Sequence, residues 1–198
     1  MSPYCNKTLA ACLALLLLLA GCSSTATRDG KTAEAIKLPR SYDNALVLMQ
    51  HGNYAEAIPV LQAFIEEQPQ LAGPYINLGI AYRKTGQPDA ALTALTKAVE
   101  LNPDNAIAYQ QLGMTYREQG NFDAALEAYN NALKPDADYA LAHRNIGILY
   151  DLYLQQPALA LEHYKRYLEL IGEPDQTVSR WVIDLERRTG TASARSTQ

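Results

Sequence analysis

Three histidines, His51, His143 and His163, are the side chains best suited to moving protons or holding a metal near neutral pH. His51 stands beside a turn glycine, His143 opens one helical stripe, and His163 sits in another next to Glu162. A metalloprotease pair needs the His-Glu-x-x-His spacing that sets two imidazoles on one helix face, and that spacing does not occur. Neither the Gly-x-Ser-x-Gly turn of a hydrolase nor a glycine-rich phosphate loop is present. The carboxylates Asp123, Glu127, Asp151 and Glu162 fall where solvated helix faces carry charge in any case. These residues point away from an enzyme and call for no cofactor, no metal and no small-molecule substrate. A net charge of −4 with no basic run gives nucleic acid no electrostatic footprint. The remaining reactive group is the thiol of Cys22, which stands just past an apolar run and Gly21.

That run, Leu9 to Ala20, is preceded by Lys7 and is roughly 12 residues long, the length of a signal-peptide core and too short to span a bilayer. Residues 1–21 therefore read as a cleaved leader. Cys5 and Cys12 leave with it, so Cys22 would be a lone thiol in an oxidising compartment, an arrangement that makes sense if the thiol is consumed. The sequence Leu19-Ala20-Gly21-Cys22 resembles the lipobox of bacterial lipoproteins. The resemblance implies lipidation of Cys22, with palmitate among the acyl chains, and two or three chains anchor a protein firmly. The same resemblance implies sorting to the periplasmic leaflet of the outer membrane, since Ser23 and Ser24 stand where an aspartate would signal retention at the inner membrane in many Gram-negative bacteria. An ordinary secretory signal cut after Ala20 or Ala26 is the alternative. Residues 22–38, rich in Ser, Thr and Ala, read as a flexible tether.

Beyond Pro39 the chain repeats itself every 34 residues. Gly79, Gly113 and Gly147 recur at that offset, as do Tyr82, Tyr116 and Tyr150; Gly52, Gly86 and Gly120; Ala57, Ala91 and Ala125; and Pro69 and Pro103. Within one unit Tyr75, Leu78, Gly79 and Tyr82 form the apolar stripe of a first helix, and Ala91, Leu92, Leu95, Ala98 and Val99 that of a second. Gly86 should end the first helix in the left-handed conformation, and Pro103 should end the second. A mid-helix glycine costs about 1 kcal/mol relative to alanine, so Gly79 needs a close contact, which the small Ala91 opposite would supply. The 13 tyrosines, against two phenylalanines and one tryptophan, suit helical hairpins whose fillers keep one wet end.

The period and landmarks resemble those of tetratricopeptide (TPR) repeats. The resemblance implies an all-α fold, a right-handed superhelical solenoid of about four hairpins over residues 39–173, with repeats near 39–71, 72–105, 106–139 and 140–173. The first repeat is degenerate, with Ala45 in place of the helix glycine. In the third, Pro135 comes two positions early and should stop the second helix near Leu133. The fourth carries one inserted residue and replaces the glycine turn by Leu154-Gln155-Gln156-Pro157. Residues 174–188 place Val178, Trp181, Val182 and Leu185 on one stripe and Asp184, Glu186, Arg187 and Arg188 on a polar face, as a capping helix requires. Residues 189–198 should be a flexible tail.

The resemblance also implies an interaction scaffold whose first helices line a concave groove. Helical steps of 100 degrees place Ile76, Ile80 and Arg83 on a face beside the core stripe. Their equivalents are Gln110, Met114 and Arg117; Arg144, Ile148 and Asp151; and Tyr42, Leu46 and Met49. Asn77 and Asn145, one step further round, could bond a peptide backbone. A groove for apolar anchors and carboxylates is one reading of this face; the other is that Leu46, Ile80, Met114 and Ile148 pack against the next repeat. Lipoproteins of this architecture pilot pilus secretins, act as adaptors for peptidoglycan hydrolases, or accompany proton-driven envelope complexes, so the expected partner is a protein of the cell envelope. A peptidoglycan- or glycan-binding protein, using Tyr42, Tyr153 and Tyr167 off the strict repeat positions, is the alternative function.

Overall fold

The computed structural model describes residues 40–191 of the chain. The leader at 1–21, Cys22, the tether at 22–38 and residues 192–198 of the tail lie outside the described residues. Four helical hairpins succeed one another: α1 (Arg40–Gln50) with α2 (Tyr54–Glu67), α3 (Ala72–Lys84) with α4 (Pro88–Leu101), α5 (Ala106–Glu118) with α6 (Phe122–Leu133), and α7 (Ala140–Leu152) with α8 (Pro157–Ile171). A last helix, α9 (Gln176–Arg188), packs on α8. Among the described residues all regular structure is helical, and no helix is long and apolar enough to cross a membrane. The fold is the all-α superhelical stack that the period implies.

Hairpin turns owe their shape to their glycines. Gly52, Gly86 and Gly120 have φ of 79°, 75° and 78°, a region open to glycine because it has no Cβ. In each case the next residue's amide returns to a carbonyl five positions back: Asn53 to Leu48, Gln87 to Tyr82 and Asn121 to Tyr116, each at 2.9 Å. This is the Schellman closure of a helix C-terminus. In the fourth hairpin Gln155 takes the left-handed role at φ 54°, and the closing bond runs from Gln156 to Tyr150 at 2.8 Å, one residue longer. Pro88 and Pro157 open α4 and α8, where a missing N–H costs nothing. Helix α6 ends at Leu133 ahead of Pro135, and α4 at Leu101 ahead of Pro103, as expected.

The core lies at the junctions. Leu78, Ala81 and Ala94 of the second hairpin are buried with Tyr42, Ala57, Leu61 and Phe64 of the first. Ile76, Leu95 and Ala98 meet Ala108, Leu112 and Ala128 of the third, whose Ala125 and Tyr129 meet Ile146 and Leu149 of the fourth. Each hairpin's apolar surface is completed by its neighbour, the defining economy of a solenoid.

The repeat glycines pack differently from the sequence expectation. A Cβ on Gly79 would come 2.5 Å from Cγ of Leu95, and one on Gly147 2.6 Å from Cδ1 of Tyr164; at Gly113 it would strike the ring of Tyr129. These glycines make room for the large residue four positions after the repeat alanine, not for Ala91 and its equivalents, which are fully buried in their own right.

Helix α9 buries Val178 and Leu185 and sets Trp181 against Tyr164, with ring centroids 5.3 Å apart. Its polar residues are less outward than expected. Glu186 turns in to Lys165 at 2.8 Å and Arg188 reaches back to Asp151 at 2.8 Å, while Ile183 is 50% exposed. Asp175 caps the helix by accepting from the amides of Thr177 and Val178, bonds that hold its carboxyl below the usual range. Thr189, expected to begin the tail, instead closes the helix, its hydroxyl donating to the Leu185 carbonyl at 2.8 Å.

Candidate functional site

None of the ten residues expected to line a groove is fully exposed. Ile76, Gln110 and Asn145 are buried: Ile76 belongs to the junction of the second and third hairpins, and Gln110 accepts from the hydroxyl of Tyr139. Leu46, Ile80, Met114 and Ile148 are partly buried against the clusters that join each hairpin to the next helix in the stack. The apolar stripe thus spends itself largely on repeat stacking, because α3 packs directly on α5 and α5 on α7. Asn77 is partly buried and its side chain donates to the Tyr42 hydroxyl at 2.7 Å.

The three arginines have separate fates. The Arg83 side chain is 7% exposed and bridges α3 to α5, donating to Glu118 at 2.7 Å and to Gln111 at 3.2 Å. Arg144 lies over the ring of Tyr167, 5.9 Å from its centroid, with its Nε buried and unpartnered. Arg117 is half-buried and makes no ion pair with any described residue. The reason is in the repeat: 34 residues beyond Glu118, which neutralises Arg83, stands Leu152. The charge of Arg117 is felt instead by the buried phenols of Tyr129 and Tyr164. Burial pushes both upward, Tyr129 to about 12, and the arginine pulls them part of the way back.

A second surface was missed by sequence reasoning. An open cavity of about 860 Å³ lies between α3 and α4, lined by Tyr75, Leu78, Tyr82, Leu92, Thr93 and Lys97 among others. Tyr75 and Tyr82, read as core stripe, are only half-buried here, and the Tyr82 hydroxyl accepts from Gln62 at 2.8 Å. The cavity returns one repeat later at about 180 Å³, lined by Tyr109, Leu112 and Tyr116, where Glu127 replaces Thr93. In the fourth repeat the corresponding positions hold His143 and, counting the insertion, His163. Their Nδ1 atoms are 3.0 Å apart, and burial, then the neighbouring imidazole, drives His163 down to about 4. The signal in the sequence was the choice of tyrosine, a filler with a polar end, over phenylalanine.

Of the three tyrosines that a glycan would stack on, Tyr42 and Tyr167 are buried. Tyr153 is exposed, with its ring 4.6 Å from that of Phe122. Among the described residues no group of three or more His, Cys, Asp or Glu side chains is gathered for a metal.

The tetratricopeptide repeat family model matches residues 42–73, 76–140 and 111–177. No curated protein matches the chain. Among solved structures it is similar to pilF of Pseudomonas aeruginosa, at 22% identity over 77% of this chain and 68% of that one, with a TM-score of 0.70. It is similar also to MamA, at 23% identity over 74% of this chain and 84% of that one, with a TM-score of 0.64. YrrB, described as a TPR protein with an unusual peptide-binding site, shares 26% identity over 73% of each chain, with a TM-score of 0.61.

Proposed function

The chain belongs to the tetratricopeptide repeat family, and from that premise we propose that it is a lipid-anchored, non-catalytic scaffold that docks a protein partner at the periplasmic face of the bacterial outer membrane. Repeats of this family mediate protein–protein interactions, and the fold is typically a non-catalytic one. Acylation of Cys22 at the end of the apolar leader supplies the anchor, and Ser23 and Ser24 direct it outward. The observation that carries the docking role is Arg117, a half-buried arginine on the first-helix face, beside Met114, with no carboxylate among the described residues paired to it. An acidic segment of a partner supplies that carboxylate through a charge-assisted, bidentate bond, which is stronger than a neutral hydrogen bond and geometrically selective. Arg83, already paired with Glu118, contributes stability and not binding.

The test is affinity capture from cross-linked envelopes with the acylated chain, its Arg117→Glu variant and its Cys22→Ser variant. A stoichiometric protein should be recovered by the parent and lost with Arg117→Glu while helicity and melting stay unchanged. Cys22→Ser should yield a soluble or uncleaved protein that incorporates no labelled palmitate. Normal membrane extraction of Cys22→Ser would overturn the anchor. Pelleting with purified peptidoglycan, and no protein recovered, would overturn the scaffold.

A further inference from the structure

Arg83, Arg117 and Asp151 mark one place in three successive repeats, 34 positions apart, where the first helix of each hairpin nears its end. At two of the three, the next first-helix position in the stack answers with the opposite charge. Arg83 on α3 meets Glu118 on α5 at 2.7 Å, and Asp151 on α7 meets Arg188 on α9 at 2.8 Å. In both pairs the residue at the repeat position is the more buried member, and its partner stands largely in water. The row is broken once. Arg117 on α5 has Leu152 on α7 at the place of Glu118, and it pairs with no carboxylate among the described residues. Leu152 is 66% exposed, more than any other exposed large hydrophobic among the described residues, and the next residue, Tyr153, is exposed as well. The groups whose charges act on the buried, unpartnered hydroxyl of Tyr129 are Arg117, Glu118, Arg83 and Tyr153. The unpaired arginine and the exposed end of α7 therefore lie about one point.

On the premise of a protein scaffold, we propose that this break selects the partner: the docked segment carries an aspartate or glutamate for Arg117 and, beside it, a bulky apolar residue that covers Leu152 and Tyr153. The molecule's own contact between Arg83 and Glu118 is the template for the charged half, a bond between ionised groups that is stronger than a neutral one. The apolar half follows from Leu152. A carboxylate bound alone would leave that leucine in water, whereas a neighbouring apolar side chain removes its surface from solvent and lowers the dielectric around the ion pair, strengthening it. A basic segment meets like charge at Arg117, and a purely apolar one strips water from the arginine without replacing it, so both are selected against.

Short random peptides displayed on phage would be selected on the full chain, and the enriched sequences synthesised with a fluorophore and titrated. They should carry an acidic residue and a bulky apolar one within a helical turn of each other. The decisive variant is Leu152→Glu, which builds into α7 the carboxylate that Glu118 supplies on α5 and, at so exposed a position, leaves folding intact. Arg117 then pairs within the chain, melting is not lowered, and peptide affinity should fall by about 10-fold or more, the cost of losing a charge-assisted bond at an interface. Leu152→Gln, which removes the apolar contact alone, should weaken the same peptides less. Enriched peptides without a carboxylate, or an affinity unchanged in Leu152→Glu, would overturn the proposal. The envelope capture separates this failure from that of the scaffold. A partner retained by Leu152→Glu but lost with Arg117→Glu overturns the two-part motif and leaves the docking role of Arg117 standing, whereas a partner retained by both variants overturns the two together.

Discussion

A methyl group at Gly113 would land on the ring of Tyr129, which is fully buried and rigid. Gly113→Ala should therefore destabilise by about 1–3 kcal/mol through overpacking, despite the roughly 1 kcal/mol that alanine gains in helix propensity. Gly79→Ala meets the leucine side chain of Leu95 instead, which has more rotameric freedom than a ring, and should cost less. Urea melts of the two variants check the order; equal midpoints would show that the aromatic ring is not the obstacle. Tyr129 makes a second prediction. Its hydroxyl is buried without a partner among the described residues, and burial raises its pKa from 10.0 to about 12. Between those values the unfolded chain has lost a proton that the folded one keeps, so stability falls as pH rises through that window. Tyr129→Phe should be neutral or up to about 1 kcal/mol more stable at pH 7 and should lessen the alkaline loss. A steeper alkaline decline in the variant would reverse the assignment.

At the scale of elements, the chain's punctuation made most boundaries readable. Glycine at positive φ and proline beyond each second helix leave a helix few other places to stop, and α4, α6 and their turns fall where these residues put them. The fourth turn was not readable in the same way, because glutamine carries no preference for the left-handed region. Its conformation is imposed by the inserted residue and the need to close on Tyr150. An L-residue pays about 1–2 kcal/mol there that glycine does not. Gln155→Gly should thus stabilise the fourth hairpin by about 1 kcal/mol, with Gln155→Val shifting in the opposite direction. Thermal melts of the pair give the answer, and a destabilised glycine variant would mean that the Gln155 side chain holds the turn.

For the whole molecule, a 34-residue period was enough to specify stacked hairpins, because that information is written along one helix at a time. The partner-facing surface was harder to read, because helical phase places Ile76, Gln110 and Asn145 on a face without saying whether another repeat covers it. The direct packing of α3 on α5 and of α5 on α7 covers them. The same nearest-neighbour logic fixes what α9 must do. Ending the chain at Gly172 removes Val178 and Leu185 from the last cluster, uncovers Leu161, Tyr164 and Tyr167, and releases Lys165 and Asp151 from their partners. Each of these ion pairs keeps an exposed cation in water and contributes little, whereas two fully buried aliphatic side chains are worth on the order of 4 kcal/mol. For a chain of this size that corresponds to a fall of about 10 °C in melting temperature. Because each hairpin contacts only its neighbours, the damage should be local. Amide exchange should quicken in α7 and α8 of the truncated protein while α3 and α4 keep their protection. Uniform loss across all four hairpins would show a single cooperative unit, and unchanged exchange in α8 would show that α9 is not its cap.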